Sequence, residues 1–453
     1  MIRVLILAYD FPPYVSVGGL RPHSWFKYFK EFDIEPIVIT RQWGNTYGNH
    51  LDFIAPGWSK ECVIEESLQG TIIRTPYSPN LSNRILLRYG EKRFSRLRKV
   101  ISAYYEMLQF FFAVGPKKEI YKAAKSYLNQ HKVDVILATG EPFVLFHYAR
   151  KLGAAYNVPW IADYRDPWTL NLKNQNWLIK QFYSILENRI SSKAKLITTV
   201  SSFVETQIRK QVAHGKFSIV PNGFDEQAMK QIESIEQDRG MLRIGFVGTI
   251  YEWNPLIVIL DSLNRWVTNF PDRKIELHFH GTNKNEYISE LLKNQYPKLI
   301  EAVVTHPKLP NQQLLEKLAR YNVLLLFNYY AYMGTKIYDY LGLKRKILFC
   351  FTDDPESIKL KNRFYPLDAN GASESLQKEL IVKYNAGILI SNADELIKVL
   401  NELYQEHKDT GEIKCHSLGV DQFSRRIQAE RLANLIKTLA KPLPNDKLGI
   451  DSD

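Results

Sequence analysis

Cysteine is scarce: among 453 residues only Cys62, Cys350 and Cys415 carry a thiol, an odd number at wide spacing. They form no CxxC pair, which excludes a disulfide-stapled secreted scaffold and fits a reducing cytosol. Long apolar runs are missing as well. None approaches the ~18–20 residues needed to span a bilayer. Ile2 to Ala8 reads as a buried strand with no cleavable hydrophobic region after it, so no secretory signal is expected and the chain reads as soluble. Acidic charge is the minority sign, with 48 Asp and Glu against 60 Lys and Arg and a net charge of +12. Such a surplus asks for an anionic partner: nucleic acid, an anionic membrane surface or a phosphorylated substrate. Nucleic acid is set aside, because no zinc-finger spacing, RNA-binding aromatic signature or helix-turn-helix pattern accompanies the charge. GxGxxG, GxSxG and Cys-His signatures are absent too. Metal ligands are sparse: His278 and His280 alternate on one expected strand with no third ligand at useful spacing, and read as structural. The only DxD, Asp451-Ser452-Asp453, lies in an expected frayed tail, and Asp353-Asp354 reads as loop.

What is present is ordinary globular composition, 45% hydrophobic and 24% charged. The length suits two domains of roughly 200 residues. Short apolar runs of strand length recur at Val4-Leu7, Pro36-Ile39, Val133-Ala138, Trp160-Ala162 and Leu196-Val200, then at Leu242-Val247, Ile275-Phe279, Val323-Phe327 and Ile347-Phe351. Helix-length segments separate most of them. Continuous apolar strands alternating with helices predict an α/β chain whose parallel sheets are covered on both faces. The turn Pro221-Asn222-Gly223 and the polar stretch Asp225 to Gly240 mark a boundary, after which Leu242 to Gly248 restarts a Rossmann-like half. The expected division is residues 1–222, residues 223–421, a helix over 422–441 that can cross back to brace the first half, and a flexible tail over 442–453. In such sheets ligands sit beyond the carboxyl ends of the strands, which makes the space between two facing halves the natural site.

The stretch Met333 to Cys350, MGTKIYDYLGLKRKILFC, carries the most chemistry. A small-residue turn, Gly334-Thr335, leads into a short helix that Thr335 can cap, leaving amide donors and the positive helix end for a phosphate. Lys336 adds a full charge, and Asp339, three residues on, shares its face and can accept hydrogen bonds from sugar hydroxyls. The competing reading is an ordinary capped helix with a solvated Lys-Asp pair. Upstream, Gly18-Gly19 after the first strand allows close backbone approach to a ligand, with Arg21 just beyond. The loop after Trp160-Ala162 offers Asp163, Arg165 and Asp166, a carboxylate that can orient or deprotonate an acceptor hydroxyl, or else an internal Asp-Arg salt bridge. Glu141, in Thr139-Gly140-Glu141-Pro142, is a second acidic candidate. Gly248-Thr249 ends the first strand of the second half, where a phosphate can meet backbone amides. Ser202 with Glu205 reads as a capping box.

The surplus charge is local. Between Arg84 and Lys99 seven Lys or Arg stand against one acid, Glu91, with an aromatic run from Tyr104 to Phe112 downstream. A basic stretch beside exposed aromatics can rest on anionic lipid headgroups. The preferred reading is the plainer one, a solvated helix whose apolar side packs on its own domain.

Taken in order, the FPP…GG.R opening, DVILATGEP, PWIADYRDPW, LITTVSSFVETQI, IVPNGFD, LRIGFVGT, LPNQQLLEKLARYNVLLLF and GTKIYDYLGLKRKIL resemble the GT-B glycosyltransferases. The likeness is to the retaining family 4, which builds cell-surface polysaccharides and glycolipids, and it covers nearly the whole chain. It implies two Rossmann-like domains with parallel sheets facing a central cleft, acceptor on the first and nucleotide-sugar on the second. It also implies metal-independent transfer with retention, no cofactor, and a cytoplasmic protein able to sit on the inner membrane face. Thr335 and Lys336 would lie by the donor phosphates, Asp339 would hold the ribose, and Gly18 and Gly19 would border the diphosphate and sugar. Three departures stand out. The ribose-binding residue is Asp339 where the family usually has Glu, and the earlier Glu of the paired motif is Ala331. The basic pair often found after the second half's first strand is absent from Thr249 to Asn254. The histidine many members carry near the DVI strand is replaced by Thr139-Gly140-Glu141, which leaves Asp166 or Glu141 for that role. The expected activity is sugar transfer from a nucleotide diphosphate donor to a glycan or lipid-linked acceptor. A nucleotide-sugar epimerase on the same fold and a non-catalytic glycan- or lipid-binding homologue are the alternatives.

Overall fold

The computed structural model describes residues 1–44, 51–112, 114–170, 177–351, 355–364, 373 and 375–440. Asp353-Asp354, Asp451-Asp453 and the expected tail over 442–453 lie outside them. The chain divides into two compact units, Met1–Pro221 together with the segment that begins at Arg426, and Asn222–Arg425.

Among its described residues the first unit is built on eight strands: β1 (Ile2–Leu7), β2 (Ile34–Arg41), β3 (Val63–Ser67), β4 (Gly70–Thr75), β5 (Val135–Gly140), β6 (Trp160–Tyr164), β7 (Leu196–Thr199) and β8 (Phe217–Ile219). Their order is β3-β4-β2-β1-β5-β6-β7-β8. All pair in parallel except β3, which runs antiparallel to β4, with Val63 opposite Arg74. The all-parallel expectation therefore fails at this edge. The sequence reading missed the β3–β4 hairpin because β3 is exposed along most of its length and lacks the apolar run that marks a buried strand. Along β1, Val4 and Ile6 face a core that includes Phe29 and Val38. The helix Arg425–Ala440 completes that core. Its Ala429, Leu432, Ala433 and Ile436 recur at helical spacing and are fully buried there. Ion pairs from Arg426 to Glu31 and from Lys437 to Asp33 flank this seam.

Among its described residues the second unit has six parallel strands in the order β11-β10-β9-β12-β13-β14: β9 (Leu242–Val247), β10 (Ile275–His280), β11 (Val303–His306), β12 (Val323–Phe327), β13 (Lys346–Cys350) and β14 (Gly387–Ile390). β12 shows why such strands read as unbroken apolar runs. Val323, Leu325 and Phe327 enter the core on one face, Leu324 and Leu326 that on the other. Each such side chain stabilises its unit by roughly 1.5–3 kcal/mol. The edge strands β11 and β14 are short, partly exposed and escaped the sequence reading. In both sheets strand order reverses once near the middle, between β1 and β5 and between β9 and β12, and the residues beyond those carboxyl ends are where ligands bind such sheets.

Candidate functional site

In the second unit the β9 carboxyl end runs into Gly248 and Thr249, and the residues after β12 lead to the helix Lys336–Leu343. The two are tied together, because the Val247 backbone N–H donates to the buried Tyr340 hydroxyl at 3.1 Å. Gly334 turns the chain into the helix with φ +65°, a left-handed conformation in which a side chain would be strained. Gly248, at φ +113°, has open space where a Cβ would stand. Thr335 is the residue preceding the helix, but its backbone is already helical and its hydroxyl makes no capping bond. The expected side-chain cap is therefore absent, and Thr335 does not occupy the first-turn amides. Lys336 Nζ lies 3.5 Å from Asp339 Oδ2, with the lysine one-third exposed and the carboxylate nearly buried. One turn thus presents amide donors, a cation and a carboxylate. Ala331 is buried. Where the basic pair is missing, aromatics gather instead: Tyr251 stacks on Trp253 at 4.5 Å and its hydroxyl meets that of Tyr329 at 2.8 Å.

In the first unit the sequence-derived residues separate into two groups. Arg21 and Asp163 are buried and paired at 2.7 Å. Asp163 also accepts from Thr139 at 3.0 Å and Thr198 at 2.8 Å, and Arg21 donates to the carbonyls of Val220 and Pro221. These bonds stitch β5, β6, β7 and the chain after β8 together, so Arg21 and Asp163 act first as a structural pair. The salt bridge expected within the Asp163-Arg165-Asp166 loop is instead made by Asp163 with Arg21. Arg165 binds the carbonyls of Gly140 at 2.5 Å and Glu141 at 2.8 Å, clamping the β5 and β6 loops. Glu141 and Asp166 are exposed. Gly18 and Gly19 are not a free loop; they form the first turn of the helix Val17–Tyr28, capped by Ser16, whose hydroxyl accepts from Gly19 N–H at 3.1 Å. A Cβ on Gly18 would overlap the Arg165 guanidinium and the Asp10 carboxylate. Asp10 is the residue that sequence reasoning passed over. It accepts from the Ser16 hydroxyl at 2.8 Å, and burial raises its pKa although Arg165 beside it works in the opposite sense. Its position just past β1 was the available signal. The capping residue of the helix Ser202–Arg209 is Ser201, not Ser202.

The basic stretch forms two helices, Leu81–Tyr89 and Ser95–Leu108, and the second buries no residue at all. Leu97, Val100, Tyr104 and Met107 stand exposed on it, as do Phe111 and Phe112 beyond. The preferred expectation of an apolar side packed on its own domain holds only in part: Ile101, Tyr105 and Leu108 are half-buried at helical spacing. Phe110 alone of the aromatic run is inserted, stacking on Trp168 at 5.4 Å. Nearby, Phe182 meets Phe111 at 6.2 Å, and its helix Trp177–Ser191 exposes Trp177, Leu178 and Ile185. Among the described residues no helix is long and apolar enough to cross a membrane.

Two parallel α/β units with this strand order define the GT-B fold of glycosyltransferases. Sucrose-phosphate synthase from Thermosynechococcus elongatus superposes with a TM-score of 0.58 at 13% identity, covering 97% of this chain and 99% of that one. The E. coli trehalose-6-phosphate structure bound with UDP-2-fluoro glucose gives 0.58 at 11% identity, over 98% and 100%. Anabaena HepE in complex with UDP gives 0.54 at 13%, over 97% and 100%. At such identities the likeness is one of fold. Residues 27–228 match the family described as Glycosyltransferase Family 4, and the fold is that of the GT-B glycosyltransferases. A comparison with curated protein sequences finds no significant match.

Proposed function

We propose that the chain transfers a sugar, with retention of configuration, from a nucleoside diphosphate donor to a hydroxyl of a glycan or lipid-linked acceptor in surface polysaccharide or glycolipid synthesis. The carrying observation is the amino end of the helix Lys336–Leu343, with Lys336 and Asp339 on one turn, tied through Tyr340 to the end of β9. Amides and Lys336 would stabilise the departing diphosphate as its charge develops, and Asp339 would bind the ribose. Gly248 and Thr249 would border the phosphates without a metal there. In the first unit, Gly18 and Gly19 would serve the donor, Arg165 the acceptor, and Glu141 or Asp166 would act on the acceptor hydroxyl. UDP is the first base to test, because two proteins of this fold are described with UDP or a UDP-sugar bound. The exposed basic-aromatic helices would hold the enzyme on an anionic cytoplasmic membrane face, where a lipid-linked acceptor resides.

The test is thermal stabilisation by UDP, GDP, dTDP and ADP, since a ligand that binds only the native state raises the melting point with its concentration. One of the four should stabilise the chain, and Lys336→Ala should abolish the shift. Silence from all four overturns the reading. The buried Ala331, where the resemblance expects a sugar-binding Glu, favours one second reading, a non-catalytic glycan- or lipid-binding protein. Such a protein releases no nucleotide from any donor even when extracts supply acceptors, whereas an epimerase turns donor over with no acceptor.

A further inference from the structure

Three histidines meet at the edge of the second sheet. His278 and His280 alternate on β10 and share a face, and β11 places His306 directly opposite His280 in the parallel register. One ring nitrogen of each lies within 4.8 Å of the other two. The third member could not be seen in the sequence because it comes from a four-residue edge strand. We propose that His278, His280 and His306 bind a zinc-class divalent cation through three imidazole nitrogens, with a fourth coordination position left for water.

The surroundings of each ring support this. His278 Nε2 lies 2.9 Å from Glu276 Oε2, so a proton on Nε2 is held by the carboxylate and Nδ1 is left as a lone-pair donor. A carboxylate behind a histidine is the usual support of a metal-binding imidazole, fixing the ring and raising its basicity. His280 Nε2 lies 2.7 Å from the Tyr321 hydroxyl, while its Nδ1 is buried and has no hydrogen-bond partner. An orphaned buried nitrogen on a residue only 1% exposed calls for a ligand. His306 Nε2 lies 2.9 Å from His278 Nδ1. With His278 protonated on Nε2, that contact is a hydrogen bond donated by His306. Coordination would move the His306 proton to its Nδ1 and free both facing nitrogens, with no net proton release. Burial holds the pKa of all three below the ordinary value, His280 down to about 3, so neutral imidazoles prevail near neutral pH, as coordination requires.

Geometry and charge set the limits. Nitrogens bound at about 2.0–2.1 Å to one tetrahedral ion stand roughly 3.3 Å apart, so the rings must close by about 1.5 Å from the widest separation of 4.8 Å allowed here. The Lys317 ammonium and the Arg243 guanidinium act on the cluster as opposing positive charges, and Glu276 is the anion that offsets them. An all-nitrogen, partly buried set with one open position suits zinc, or cobalt as its spectroscopic substitute, over magnesium or calcium, which need oxygen ligands. A bound ion would pin the edge strand β11 to β10.

The experiment titrates chelator-stripped, full-length protein with zinc chloride by calorimetry and with cobalt chloride by visible absorbance. One equivalent of zinc should bind and raise the melting point, and cobalt should show the intense bands of four-coordinate nitrogen ligation. Glu276→Gln should weaken zinc by about 10–100-fold, the usual cost of losing a supporting carboxylate. His306→Ala, at the sheet edge and least disruptive to folding, should weaken it further. No binding at sub-millimolar zinc, or one-equivalent binding that survives in His306→Ala with an unchanged circular dichroism spectrum, would overturn the proposal and leave a stacked cluster of neutral rings. His280→Ala is informative only if folded; His306→Ala decides the matter otherwise.

Discussion

The backbone N–H of Val247 and the hydroxyl of Tyr340 are 3.1 Å apart, and this single bond joins the last residue of β9 to the helix that begins at Lys336. Both groups are buried. Tyr340→Phe removes the acceptor and strands the amide, at a cost of about 1–3 kcal/mol. In a unit of this size that lowers the melting point by about 2–4 °C per kcal/mol. Nucleotide-induced stabilisation should shrink as well, because the helix end loses its anchor. An unchanged melting point would show that the bond contributes nothing.

Lys336→Ala should lower sugar transfer by a factor on the order of 10²–10³, as for loss of one electrostatic donor to a developing charge. Lys336→Arg, which keeps the charge and changes its shape, should recover part of it. The fall should appear in turnover of the purified protein at saturating donor. Equal rates for wild type and Lys336→Ala would remove the lysine from the site.

Arg21 and Asp163 make a contrasting pair. Removing one partner of a buried ion pair leaves an uncompensated charge and costs about 3–5 kcal/mol. Arg21→Met should therefore lower the urea midpoint, with the two threonine hydroxyls from Thr139 and Thr198 left to hold the carboxylate. Adding Asp163→Asn should restore part of the loss. Loss of activity with an unaltered urea midpoint would instead make Arg21 a ligand-contacting residue.

This contrast marks what the sequence could and could not tell. A core strand such as β12 was legible because both its faces are buried and no polar residue interrupts it. The pairing of Lys336 with Asp339 was legible because it is local, three positions apart on one helix. Arg21 and Asp163 are 142 positions apart and carry no mutual signal. The same holds for His306, and for Asp10, whose significance comes from Arg165 folding against Gly18. Edge strands β3, β11 and β14 are short and partly wet, so their apolar pattern is too weak to read.

Glu187 sets a pH dependence. It is buried, accepts from the Thr169 N–H at 2.9 Å, and burial pushes its pKa up from 4.5 to about 7. Between those values the folded chain keeps a proton that the unfolded chain has released, so stability falls as pH rises and the loss is complete above the folded value. Glu187→Gln removes the titration and keeps an oxygen for Thr169. Above pH ~8 the variant should be more stable than wild type by ~1–3 kcal/mol, and the gap should close toward pH ~5. Parallel stability curves across that range would refute the assignment.

The exposed helix Ser95–Leu108 and its neighbour Leu81–Tyr89 yield the prediction with the widest consequence. A helix that buries no residue on its own domain while exposing Leu97, Val100 and Tyr104 beside a run of basic side chains leaves apolar surface in water. Against an anionic bilayer each Lys or Arg contributes about 1 kcal/mol. Reversing Arg88, Arg93 and Arg96 to Glu should weaken binding to phosphatidylglycerol-containing vesicles by more than about 100-fold. Phe94→Ser with Val100→Ser should weaken it through lost apolar burial, with the salt dependence retained. Sedimentation with vesicles at low and high salt separates the two contributions. Equal pelleting of wild type and the charge-reversed variant, or none of either at low salt, would leave these helices as a surface for something other than lipid.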